Sequence, residues 1–203
     1  MAQESPAPAA EAPAPAPAVP GGLSMGQEAG APAADGPGSI YVAATFGDWD
    51  QRCVRAEDGS DPCQMYQLLK DGKGNPVAEI SLFALPEGQA AAAGATIIAP
   101  LETLLTEQLT IQVDTGKAKV YPFTWCSSDG CVSRVGFSAD EVVAFKKGVK
   151  ATISIVPVIA PDQKVALDLS LKGFTAGYDA VAASNAAALS AAEDAGTPAP
   201  AGN

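Results

Sequence analysis

Alternation of apolar and polar residues dominates the middle of the chain and predicts β-strands. Every second residue is apolar in segments 151–157 and 165–171. Pro161-Asp162 lies between these segments and favours a turn, so we expect an antiparallel hairpin. The other segments that resemble strands are 64–69, 77–83, 109–114 and 117–121, and the Thr115-Gly116 turn predicts that the last two form a second hairpin. Strands at this spacing predict a mostly β domain, an antiparallel sandwich or a barrel-like sheet.

One short internal helix is indicated after Ser138. Glu141 follows three residues later, which is the spacing of a capping box. Lys146 and Lys147 suit the negative end of the helix dipole, and Gly148 is a typical stop. We also expect a helical segment near the C-terminus.

The two ends of the chain differ in composition from the domain between them, which we place at residues 39–181. Residues 1–38 contain eight prolines, no lysine or arginine and no aromatic residue. Such a leader lacks the apolar surface that would offset its ordering entropy, so we predict a disordered, extended spacer. A ligand for a proline-binding groove is the alternative. Residues 182–203 are Ala-rich and predict a helix end that runs into a disordered tail.

The composition excludes several classes of function. The net charge of −11 opposes binding to nucleic acid or to an anionic lipid surface. The chain has no histidine, which removes most hydrolase triads and most zinc sites. No apolar run approaches the roughly 20 residues of a membrane-spanning helix. We therefore expect no enzyme activity, no cofactor, no metal and no transmembrane segment.

Four cysteines bear on the compartment: Cys53, Cys63, Cys126 and Cys131. Their spacing matches neither a common zinc site nor a Cys-x-x-Cys redox motif. An even number favours two structural disulfides and hence an exported protein. The opening Met1-Ala2-Gln3 has no basic or apolar export segment. We expect a signal peptide that has been removed; a cytoplasmic protein is the alternative.

Two tryptophans and an acidic stretch are the remaining candidates for binding. Trp49 and Trp125 each lie near a cysteine, and we expect both to be buried against disulfides rather than exposed as ligand platforms. The acidic residues depart from the EF-hand spacing, and a solvated loop is favoured over a calcium or acid–base site. They are Asp48, Asp50, Glu57, Asp58 and Asp61.

Several short motifs occur in a fixed order with the cysteines. They are Phe46-Gly47-Asp48-Trp49 before Cys53, Cys63-Gln64, Pro122-Phe123-x-x-Cys126 with Gly130-Cys131, and Ser170-Leu171-x-Gly173-Phe174. Together they resemble the invasion-associated locus B family of Gram-negative envelope proteins, over about residues 39–181. The resemblance implies an exported β domain, linked in some pathogens to entry into host cells. It supplies no catalytic residues.

Disulfide connectivity is not fixed by spacing, because four cysteines allow three pairings. The resemblance implies local pairing, Cys53 with Cys63 and Cys126 with Cys131. The turn at Asp129-Gly130 is consistent with the second pair. The expected function is a periplasmic or surface-associated protein that binds another protein. The alternatives are an accessory subunit of an inner-membrane complex and an envelope thiol–disulfide enzyme.

Overall fold

A computed structural model describes the backbone of residues 36–196 and the side chains up to residue 190. Most of the predicted leader and the end of the predicted tail lie outside these residues. The helices are α1 (Ala139–Lys147) and α2 (Phe174–Gly196), with a 3-10 turn at Leu105–Glu107. The strands are β1 (Ile40–Phe46), β2 (Trp49–Val54), β3 (Cys63–Lys70), β4 (Pro76–Ala84), β5 (Ala93–Ala99), β6 (Leu109–Val113), β7 (Lys119–Tyr121), β8 (Trp125–Ser127), β9 (Gly130–Phe137), β10 (Lys150–Ile155) and β11 (Val165–Ser170).

All of these strands belong to one antiparallel sheet. The order along it is β7-β6-β10-β11-β3-β4-β5-β9-β8, and the hairpin of β1 and β2 lies beside the first half of β3. The sheet curls until its ends approach, with the rings of Tyr121 on β7 and Phe137 on β9 6.2 Å apart. The fold is therefore mostly β, as predicted, and it takes the barrel-like form rather than the two-sheet sandwich.

The predicted hairpins are confirmed. β10 pairs with β11 from Lys150 opposite Ser170 to Ile155 opposite Val165, and β6 pairs with β7. Alternate residues of β10 and β11 are buried. The strands predicted at 64–69 and 77–83 correspond to β3 and β4, which form an antiparallel pair. Period-two patterning thus identified the strands with clear aliphatic alternation.

Helix α1 has the predicted capping box. The hydroxyl of Ser138 accepts the backbone N–H of Glu141 at 3.4 Å, and the Glu141 carboxylate accepts the backbone N–H of Ser138 at 2.9 Å. Gly148 ends the helix with φ −74°, so it is not needed for a left-handed conformation. A Cβ there would lie 2.8 Å from Cδ1 of Leu171. A larger residue there would require the side chain of Leu171 to shift.

The core lies inside the curl of the sheet, and both helices help to close it. Phe174 at the start of α2 meets the ring of Trp49 edge-on at 5.6 Å and the ring of Phe145 in α1 at 5.4 Å. Val181, two turns further along α2, is 1% exposed. Asn185 accepts the N–H of Cys63 at 2.8 Å and donates to its carbonyl at 2.9 Å. Helix α2 is therefore bound to β3 by both backbone groups of one cysteine.

Candidate functional site

Gly47 and Gly173 face each other where the first and last motifs of the resemblance meet. Both have positive φ, +61° and +86°. A Cβ on Gly47 would lie 2.5 Å from the carbonyl oxygen of Lys172, and one on Gly173 would overlap the carbonyl of Phe46. The N–H of Asp48 donates to the same Lys172 carbonyl at 3.1 Å. Only glycine allows the two turns to approach this closely.

Ser170 is the centre of the hydrogen bonds at this junction. Its carbonyl accepts the indole N–H of Trp49 at 2.8 Å, and its hydroxyl donates to Asp48 at 2.6 Å. Gln67 accepts the N–H of Ser170 at 2.8 Å and donates to its carbonyl at 3.1 Å. Trp49 is fully buried, as predicted. Leu171, which follows Ser170 in the chain, is also buried. The junction joins segments that are far apart in sequence.

The first disulfide, Cys53–Cys63, joins directly opposite residues of β2 and β3. Its two Cα atoms are 4.0 Å apart, and both cysteines are buried. The second, Cys126–Cys131, joins opposite residues of β8 and β9. Both bridges have the local pairing that the resemblance implied. Each bridge links the two strands of one hairpin, β2 with β3 and β8 with β9.

The second hairpin lies at the end of the sheet and is only partly covered. Gly130 has φ +145°, and a Cβ there would overlap the carbonyl of Ala99 on β5. Cys131 is buried against the sheet, whereas Cys126 is exposed. This glycine lets β9 pack on β5 while β8 projects outward.

The predicted burial of Trp125 is wrong. This side chain is 48% exposed. It lies on β8, a three-residue strand whose residues are all exposed and which pairs only with β9. A cysteine neighbour indicates burial only where a second layer covers the strand, and none covers β8 in the described part of the chain.

The acidic residues do not converge on a metal site. Asp50 accepts from the hydroxyl of Thr45 at 3.1 Å, and Asp58 caps the N–H of Ser60. Asp61 accepts from the Ala56 N–H at 2.9 Å and from the Tyr41 hydroxyl at 2.8 Å. These two hydrogen bonds lower the pKa of Asp61, and the bond from the Ala56 backbone has the larger effect. Among the described residues, no three acidic or cysteine side chains are grouped as metal ligands.

The best-connected carboxylate is Glu141, whose wider role sequence reasoning missed. Besides the Ser138 N–H, it accepts the Ser138 hydroxyl at 2.9 Å, the Tyr121 hydroxyl at 2.8 Å and Lys119 at 2.8 Å. Burial alone would raise its pKa, but these donors outweigh burial and lower the pKa of Glu141 to about 2. The pKa of Tyr121 is raised, mainly by burial and to a smaller extent by its hydrogen bond to Glu141. Strand periodicity places Lys119 and Tyr121 on one face of β7, but it does not show that this face meets α1.

Neither helix in the described residues is long and apolar enough to cross a membrane.

The comparisons with known proteins agree with one another. The family model described as "Invasion associated locus B (IalB) protein" matches residues 49–182, about two thirds of the chain. Invasion protein B homologs of Brucella abortus strain 2308 and of biovar 1 strain 9-941 are each 27% identical over 147 residues, covering 72% of this chain and 82% of theirs.

A solved structure supports the same fold. The crystal structure of invasion associated protein B from Bartonella henselae matches with a TM-score of 0.57 and 20% identity, over 68% of this chain and 94% of that one. At this identity the match concerns the fold alone. Because the family model spans both disulfides and most of the sheet, the chain belongs to the invasion associated locus B family.

Proposed function

We propose that this chain is an exported envelope protein that binds another protein and catalyses no reaction. The observation that carries the proposal is the exposure of Trp125 on a hairpin held by a disulfide. Residues at the centre of protein interfaces are enriched in tryptophan, and a rigid support lowers the entropy lost on binding. The Cys126–Cys131 bridge provides that support.

Export is supported by the same disulfides and by the family relation. Structural disulfides persist in the periplasm and outside the cell, and they are rare in the cytosol. The relatives are named for invasion, which suggests a role at the cell envelope or at a host surface for this chain as well.

Photo-crosslinking in the organism that produces the chain tests the proposal. We would place p-benzoylphenylalanine at position 125 and, as a control, at Leu189, which is 58% exposed on α2. We expect a discrete crosslinked partner from position 125 in the envelope fraction and none from position 189. The isolated partner should bind Trp125→Ala at least tenfold more weakly, since hot-spot truncation costs about 2 kcal/mol or more. No crosslink at 125, or unchanged binding by the variant, would refute the proposal.

Thiol–disulfide exchange is the second candidate, favoured by the exposure of Cys126. Exchange proceeds by thiolate attack on an accessible sulfur, so a catalytic pair reacts readily with mild reductant. Insulin reduction in a glutathione buffer distinguishes the candidates, with a Cys126→Ser/Cys131→Ser variant as the control. Turnover that disappears in this variant would favour the enzyme. We expect no turnover.

A further inference from the structure

A cleft of about 320 Å³ lies between α1 and the hairpin of β6 and β7. Its floor is apolar and consists of side chains at most 5% exposed, Ile111, Phe137 and Phe145. The volume is at the lower end of the roughly 300–1,000 Å³ typical of small-molecule sites. The cleft is suited to one short aliphatic or aromatic group.

The rim of the cleft carries three of the chain's twelve basic residues, Lys117, Lys119 and Lys147. Lys119 is neutralised by Glu141 at 2.8 Å. Among residues 36–190, neither Lys117 nor Lys147 has a carboxylate partner. Two ammonium groups beside an apolar floor are therefore available to an incoming anion.

The two carboxylates that line the cleft are already occupied. Asp114 accepts the backbone N–H groups of Val149 at 3.2 Å and Lys150 at 3.1 Å. Glu141 accepts four hydrogen bonds from Ser138, Tyr121 and Lys119. Three lysines against two carboxylates leave this cleft with a charge of +1, whereas the whole chain carries −11. The charge of the cleft selects for an anion.

We propose that this cleft binds a small amphiphile with a single carboxylate, such as a medium-chain fatty acid. Its carboxylate would lie between Lys117 and Lys147, and its tail would cover Phe137 and Phe145. This site is independent of the protein-binding surface at Trp125. The structural alternative is that the aliphatic stems of the lysines merely shield the floor from water, as long charged side chains often do.

Calorimetric titration of the full chain with octanoate, octanol and octylamine tests the proposal. The three probes share their chain and differ in charge. We expect octanoate to bind one site, more tightly than octanol, and octylamine to bind most weakly. Lys117→Gln/Lys147→Gln should weaken octanoate binding by about three- to tenfold, the range for two solvent-exposed ion pairs, and leave octanol binding unchanged.

Two further variants separate binding from general charge and folding effects. Lys73→Gln/Lys164→Gln makes the same change in net charge at exposed positions outside the cleft and should bind octanoate like the parent. Ala144→Trp fills the cleft from an exposed position on α1, so it should keep the melting temperature and abolish binding. The proposal is overturned if octanoate does not bind at millimolar concentration. It is also overturned if octanol binds as tightly, or if both lysine pairs weaken binding equally.

Discussion

Replacing Glu141 with Gln tests whether its charge, and not only its shape, stabilises the contact between α1 and β7. Gln is close in size and can still accept from Tyr121 and Ser138. It lacks the negative charge that holds Lys119 at 2.8 Å. The variant therefore isolates the electrostatic part of the interaction.

The expected magnitude follows from the shift in pKa. The pKa of Glu141 is about 2 in the folded chain, against an ordinary value of 4.5. Each unit of difference corresponds to about 1.4 kcal/mol. The charge of Glu141 therefore contributes at most about 3.4 kcal/mol to the free energy of unfolding. Because Lys119 is 55% exposed and screened by solvent, we expect a loss of about 2–3 kcal/mol at pH 7.

The pH dependence provides the sharper measurement. A carboxylate whose pKa falls on folding stabilises the protein fully above its unfolded pKa, and this contribution disappears as the pH drops through the folded pKa. The difference between the parent and Glu141→Gln should thus be largest above pH 4.5 and shrink between pH 4.5 and 2. Urea unfolding at several pH values measures it. Glu87→Gln, at an exposed loop position, should show no such trend. A loss that is equal at pH 7 and pH 2.5 would refute the electrostatic account.

Three other predictions concern the stability of the domain, as measured by chemical or thermal unfolding. Trp49→Ala should cost about 3–5 kcal/mol because the indole is buried, whereas Trp125→Ala should cost about 1 kcal/mol or less; equal losses would contradict the difference in burial. Gly173→Ala should cost more than about 2 kcal/mol, since it combines a positive φ with a backbone clash, whereas Gly72→Ala, which meets nothing within 4 Å, should stay within about 0.5 kcal/mol. Removal of residues 1–35 should leave the melting temperature unchanged, because the sequence there has no aromatic residue to contribute to the core; a large drop would reject the predicted leader.

The accuracy of strand prediction depended on which side chains carry the alternation. In β11 the buried positions are leucines, and the pattern was plain in the sequence. In β5 the buried positions include Ala93, Ala95 and Ala99, which alternate with equal regularity. Alanine has low β-propensity, so its alternation with Gly94, Thr96 and Ile98 does not predict a strand. The burial of these alanines depends on the curl of the sheet, which is a tertiary property.

The candidate sites were harder to predict than the fold because they depend on contacts between distant segments. Trp125 and Trp49 have similar local sequence surroundings, each within a few residues of a cysteine. Their exposures differ because β2 is covered by α2 while β8 ends the sheet. Similarly, Glu141 was identified for its local cap. Its bonds to Tyr121 and Lys119 required the position of β7.

The residues that carried the family resemblance also limit what that resemblance can transfer. Gly47, Gly173 and Ser170 close the junction between the first hairpin and α2, and each is explained by packing or by an internal hydrogen bond. The presence of these residues in another chain therefore indicates the same fold. Trp125 and the cleft lysines lie outside the junction. They can be substituted without affecting its stability. Relatives with the same fold can therefore differ in partner and ligand, so activity must be tested at these exposed positions rather than inferred from the motifs.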